Sequence, residues 1–190
     1  IFTPLNFLFG LWKKMMSKVI KVEEIPIEVE DELLTMVEEA EIKGGIDEHE
    51  SKLIRSAIEF NDLDADQILT SRVDMISIPK ETTMEDVRKV FKENKFSRIP
   101  VYENNIDNII GVIHEKDFYD ALDEKKENID SIIKPILYVT SNTKISELLK
   151  KFQYIKNHMA VVIDEFGGTM GIITLEDVLE ELVGEIWDEH

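Results

Sequence analysis

Apolar residues along this chain change period in a fixed order, and the order occurs twice. Gly171-Ile172-Ile173-Thr174-Leu175-Glu176-Asp177 is a short apolar run passing straight into an amphipathic stretch, which predicts a buried strand feeding a helix. Sixty residues earlier, Gly111-Val112-Ile113-His114-Glu115-Lys116-Asp117 carries the same glycine, apolar pair and aspartate. The strand ahead repeats as well, Arg98-Ile99-Pro100-Val101 against His158-Met159-Ala160-Val161. So does the helix before it, one residue further out of step, where Met84, Val87 and Phe91 answer Ile145, Leu148 and Phe152. Self-similarity of this length decides the architecture before any single element does. Each unit reads strand, helix, strand, hairpin, strand, helix, with Asn104–Asn108 and Asp164–Gly168 as the polar hairpins. The fold class expected is α/β (α+β): repeat one over 67–123, repeat two over 130–187, each a three-stranded sheet with two helices. One such unit leaves apolar surface bare, and a pseudo-twofold pair buries it.

The chain ahead of the repeats differs in kind. Residues 1–22 place Phe2, Leu5, Phe7, Leu8, Phe9, Leu11 and Trp12 before Lys13, Lys14, Lys18 and Lys21, without an acid. That run is far short of the roughly 20 residues that span a bilayer, and it reads as an amphipathic segment lying at a membrane surface, lysines toward anionic lipid. A signal peptide would carry its charges ahead of the apolar stretch. Residues 23–66 reverse the charge, with fourteen acids between Glu28 and Asp66. Two short helices fit there, the first with Leu33, Leu34, Val37 and Ala40 on one face and stopped by Gly44-Gly45. The second opens at Asp47 with Leu53, Ile54, Ala57 and Ile58 inward. Asp62-Leu63-Asp64-Ala65-Asp66 imitates the start of a calcium loop, but Gln67 stands at the required glycine and Val73 at the required glutamate. The start at Ile1 without a methionine, and the stop just after a helix, read as a piece of a longer protein.

Composition narrows the chemistry. A length of 190 residues with 43% apolar content and nine phenylalanines supports a real core, and the absence of cysteine excludes disulfides and thiolate metal sites. A net charge of −18 argues against nucleic acid as a partner. The four histidines, His49, His114, His158 and His190, form no i, i+4 pair, and no catalytic set emerges, so neither an enzyme nor a protein metal site is expected.

The motif that repeats best can bind. Thr174 stands where a helix begins and can cap free N–H groups or touch a phosphate, and Asp177, one turn on, can accept hydrogen bonds from a ribose diol. The plain alternative is a capping box, Thr-x-x-Asp, without a ligand.

Gly-h-h-Thr-x-x-Asp in a tandem repeat resembles the ribose–phosphate motif of CBS-domain pairs. Phe96-Ser97-Arg98-Ile99-Pro100-Val101 and the run from Gly171 to Glu181 are similar to the CorC/HlyC group, membrane proteins linked to magnesium and cobalt transport and related to the CNNM proteins. The resemblance implies that each cleft draws on both repeats. One cleft would take Thr174 and Asp177 from repeat two, with Thr70, Phe96, Ser97, Arg98, Ile99 and Pro100 from repeat one. Arg98 is the cation expected to meet phosphate. In the second cleft Asp117 is retained, but His114 replaces the hydroxyl residue and His158 replaces Arg98, so an empty or weak site is expected. The ligand implied is an adenine nucleotide, ATP or AMP, with Mg²⁺ carried on its phosphates. A homodimer through the CBS pair, a transmembrane domain upstream, residues 23–66 as the helical linker, and a place on the cytoplasmic face of the plasma membrane are implied likewise. The rival expectation is a ligand-free scaffold that only dimerises a membrane protein.

Overall fold

The computed structural model describes residues 29–155 and 158–184; the surface-helix reading of 1–22, the start of the linker, and Glu185, Trp187, Asp188 and Glu189 lie outside the described residues. Two units are distinguished, residues 1–47 and 48–190.

In the first unit α1 (Val29–Ile42) buries Val37, while Leu34 and Ala40 are half-buried and Leu33 is exposed. Gly44 ends the helix at φ +70, a left-handed backbone that glycine adopts without penalty.

The second unit holds α2 (Glu48–Glu59), α3 (Ala65–Ile68), β1 (Thr70–Ser71), β2 (Ile78–Pro79), α4 (Met84–Asn94), β3 (Arg98–Tyr102), β4 (Ile109–His114) and α5 (Glu115–Asp123). It continues with β5 (Leu137–Thr140), α6 (Ile145–Ile155), β6 (Met159–Ile163), β7 (Thr169–Thr174) and α7 (Leu175–Val183). Each repeat pairs its first two strands in parallel across a helix and its last two antiparallel through a hairpin, β2-β3-β4 in one and β5-β6-β7 in the other.

The strands that open the repeats are exchanged. β1 leaves repeat one and pairs antiparallel with β7, Thr70 opposite Ile172 and Ser71 opposite Gly171, making that sheet β1-β7-β6-β5. Reciprocally, Lys134 at the start of repeat two bridges Val112 of β4, with both backbone bonds at 2.9 Å. The motif glycines exist for this crossing. A Cβ on Gly171 would stand 2.1 Å from the Thr70 carbonyl oxygen, and one on Gly111 would stand 2.4 Å from that of Lys134.

Three cores follow. Val87, Phe91, Ile99, Val101, Ile113 and Phe118 fill repeat one, and Val139, Ile145, Leu148, Phe152, Ile173 and Val178 fill repeat two. Between the sheets lie Met75, Ile109, Val112, Ile136, Met159, Val161 and Ile172. Phe60 and Ala65, from the acidic stretch, are buried in the repeat-two core, so that stretch is partly built into the pair. The inward side of α2 departs from expectation: Ser51 is buried, whereas Ile54 is 39% exposed and Ala57 is exposed. The anchor is instead Phe60 just past the helix, whose ring reaches the core. Asp64, of the calcium-loop imitation, pairs with Lys144 at 2.9 Å and its side chain takes part in the capping box of α3.

The strand register corrects the alignment of the repeats. Arg98 lies opposite His114 and Met159 opposite Thr174, with a register shift after Val101 in one and after Val162 in the other. Leu175 N donates to His158 O as Glu115 N donates to Ser97 O. Met159 is therefore the counterpart of Arg98, and His158 the counterpart of Ser97. The one-residue step falls in the hairpins, Glu103–Asn108 being one residue longer than Asp164–Gly168, and not ahead of the strand.

Candidate functional site

β7 delivers Thr174 to the N-cap of a helix because the apolar run ends there and a hydroxyl replaces it. Thr174 Oγ1 accepts from Asp177 N at 3.3 Å and donates to Asp177 Oδ2 at 2.9 Å, while Thr174 N donates to the same oxygen at 2.7 Å. The capping box is thus real. It fixes the aspartate through Oδ2, and among the described residues no protein group hydrogen-bonds to Oδ1.

This box borders a cavity of roughly 380 Å³, within the range of roughly 300–1,000 Å³ usual for small-molecule sites. Thr70, Phe96, Ser97, Arg98, Pro100, Thr174 and Asp177 all line it, contributed by both repeats. The exchange of β1 brings Thr70 beside Ile172 and hence to this wall. Ile99 does not belong: strand alternation turns it the other way, fully buried in the repeat-one core. Phe96 is no core residue; it lines the cavity at 45% exposure. Arg98 makes no ion pair among the described residues, and its buried Nε lacks a hydrogen-bond partner. An orphaned guanidinium donor of this kind costs about 1–3 kcal/mol unless a water or a ligand completes it.

Three charged lining residues escaped sequence reasoning. Lys95 caps α4 in the left-handed region, φ 55, a backbone rare for a residue with a Cβ. A lysine following Asn94 past a helix end is the one signal that was available. Asp74 and Glu176 add carboxylates. Lys95 and Arg98 are cationic groups that could meet a phosphate, Asp177 an acceptor that could take hydroxyls, and Met75, Ile76, Met159 and Pro100 apolar surface that could face a flat ring. The residues present fit a nucleotide, and the acids would favour a cation bound with it.

The counterpart cleft is built differently. Its helix α5 has His114 at the N-cap, and the imidazole makes no capping bond. Asp117 lies instead 2.6 Å from Lys134 Nζ and 3.7 Å from His114 Nδ1. Burial, then Lys134, then Arg98 push the His114 pKa below its ordinary value, with His158 acting the same way and Asp117 opposing. The net shift favours the uncharged form of the ring. His158 stands one position away from where the sequence alignment put it, as described above. Among the described residues no group of three or more His, Asp or Glu is placed to hold a metal ion, and no helix is long and apolar enough to cross a membrane.

Comparison with known proteins gives this geometry a family. The CBS domain family matches residues 65–124 and 128–184. The chain belongs to that family. Within it, the CBS domain of a bacterial CNNM/CorC family Mg²⁺ transporter is similar at 42% identity and a TM-score of 0.77, covering 83% of this chain and 98% of that one. A CBS domain of a bacterial CNNM/CorC family Mg²⁺ transporter in complex with ATP is similar at 43% identity and a TM-score of 0.68, over 72% of this chain and 99% of that one. Hemolysin C of Brachyspira hyodysenteriae is 37% identical over 94% of this chain and 63% of its own length. The chain spans only 27% of a chloroplastic DUF21 domain-containing protein of Arabidopsis thaliana that it matches. This CBS pair is therefore of the CNNM/CorC type.

Proposed function

We propose that this CBS pair is a cytoplasmic regulatory module that binds one adenine nucleotide, ATP with Mg²⁺ on its phosphates, and controls an attached transmembrane divalent-cation transport domain. The observation that carries the reading is the convergence of Thr70, Phe96, Ser97 and Arg98 from repeat one with Thr174 and Asp177 from repeat two on one cavity. The ATP complex of a relative supports the ligand, and the transporter named for that relative supports the attached domain. Asp177 holds the ribose hydroxyls through Oδ1, Arg98 and Lys95 meet the phosphates, and Thr70 and Pro100 flank the base. A ligand held by both repeats favours one relative orientation of the two, and shifts that equilibrium by its differential affinity alone. Magnesium or cobalt is the cation class moved, and the pairs associate as homodimers.

Calorimetric titration with ATP, ADP and AMP, each with and without Mg²⁺, tests the reading. Saturable binding at one nucleotide per chain is expected, weakened about 10- to 100-fold in Asp177→Ala, the worth of hydrogen bonds to a charged group. Thermal melts run alongside separate that loss from the lost cap, itself about 0.5–2 kcal/mol. No binding at millimolar nucleotide leaves the dimerising scaffold.

Lys95→Ala divides the ligands. ATP affinity is expected to fall about tenfold and AMP affinity by about threefold or less, because the distal phosphates lose a charge-assisted partner. Equal losses for both would place Lys95 away from the phosphate chain.

A further inference from the structure

Resting on the nucleotide reading, we propose that Lys134 is a built-in occupant of the second cleft: its ammonium sits on the carboxylate that would take a ribose, limiting each chain to one nucleotide. The register makes the assignment. Lys134 lies opposite Val112 as Thr70 lies opposite Ile172, so the two residues hold the same place in their clefts. Asp117 and Asp177 are counterparts in turn, each three residues beyond the end of its strand.

What differs is who holds the aspartate. In the first cleft the Thr174 box binds Asp177 through Oδ2, and the short Thr70 side chain makes no bond to it among the described residues. In the second, His114 makes no cap, and Lys134 reaches Asp117 at 2.6 Å. The lysine side chain thereby spans the space that Thr70 leaves open in the first cleft. The His114 ring beside it, which makes no capping bond, is a poorer phosphate partner than a threonine hydroxyl at a helix N-terminus. Lys134 is half-exposed, which weakens the ion pair, but the Asp117 Oδ2 it contacts is buried without a hydrogen bond. Thermal melts of Lys134→Thr therefore accompany the test to show that the fold survives its removal.

The test counts sites on the full chain by calorimetry with ATP and Mg²⁺. Wild type and His114→Thr are expected to bind one nucleotide. Lys134→Thr/His114→Thr is expected to bind two, one removed by adding Asp117→Ala and the other by adding Asp177→Ala. A double variant that stays at one site, its Asp177-dependent site intact, overturns the inference and leaves the nucleotide reading standing. A second site in His114→Thr alone overturns it as well. Absence of Asp177-dependent binding in the wild type overturns the nucleotide reading and this inference with it.

A readout independent of nucleotide is the His114 titration followed by NMR. The charged and titratable groups acting on it are Lys134, Arg98, Asp117 and His158. Lys134→Thr removes a cation and frees a carboxylate, so the His114 pKa should rise. An unchanged titration shows that the ammonium does not stand in the cleft, and overturns the inference.

Discussion

Gly171→Ala is expected to cost more than an ordinary strand substitution and to disable the proposed nucleotide cleft together with the fold's exchange. The added methyl would meet the Thr70 carbonyl oxygen at 2.1 Å and Leu69 Cδ1 at 2.8 Å. A backbone oxygen in a paired strand cannot rotate away as a side chain can, so β1 must lift off β7. That movement breaks the Thr70–Ser71 pairing and the bond from Arg72 N to Met170 O at 2.8 Å. Overpacking of about 1–3 kcal/mol plus about 1 kcal/mol for each backbone hydrogen bond lost predicts about 2–5 kcal/mol in denaturant unfolding. Thr70 leaves the cavity wall with β1, and nucleotide affinity should fall at least about tenfold, the worth of roughly 1.4 kcal/mol. Two controls sharpen the reading. Gly45→Ala meets only the Ala40 carbonyl at 3.4 Å and should be close to neutral. Gly111→Ala clashes with the Lys134 carbonyl at 2.4 Å, so it should destabilise comparably while sparing the first cleft. Unchanged stability in Gly171→Ala would mean the crossing strand is not held where the structure has it.

Much of this was legible in the sequence because it rests on local periodicity. Apolar pairs between Gly and Thr or His marked β4 and β7, and Met84, Val87 and Phe91 lie along α4 as their spacing required, with Val87 and Phe91 buried. A capping box and a ligand site were posed as rival readings of Thr174 and Asp177; the structure shows the box, and the same residues border a cavity. Features set by distant contacts were not legible. Nothing near Gly171 announces that residue 70 crosses it, and nothing near Asp117 announces Lys134, since neither pairing has a spacing rule. The step between the repeats was misplaced because a one-residue difference in a polar hairpin leaves no apolar pattern to register it. Ile99 was assigned to the cleft with its motif, although strand alternation alone turns it to the core between Arg98 and Pro100. Lys95 escaped because its role depends on a left-handed backbone that only the packed helix end imposes.

Phe118→Ala, by contrast, is expected to weaken the two repeats together although it touches one. The ring is fully buried in the repeat-one core, its centroid 5.4 Å from that of Phe91. Truncation should cost about 3–5 kcal/mol, a large share of the roughly 5–15 kcal/mol that holds a domain folded. Were the repeats independent, the loss would stay in β2-β3-β4. They share too much for that. β1 completes the repeat-two sheet, Lys134 bonds β4, and Tyr138 hydroxyl donates to the Ile109 carbonyl across the repeats. Thr169 Oγ1 donates to Asp107 O at 3.3 Å, and the core between the sheets takes residues from each. Breaking repeat one strips one wall from all of these at once. A single unfolding transition is expected, lowered by about 10 °C on the usual scaling of 2–4 °C per kcal/mol for chains of this size. Hydrogen exchange decides the matter: the slowest amides of β6 should lose as much protection as those of β3. Nucleotide then supplies the converse, since a ligand bound only to the folded pair stabilises it by mass action. Because the cavity is walled by both repeats, ATP should restore protection in β3 and β6 alike. Protection of β6 that survives Phe118→Ala would make the repeats separate folding units and remove the physical basis for a ligand that sets their relative orientation.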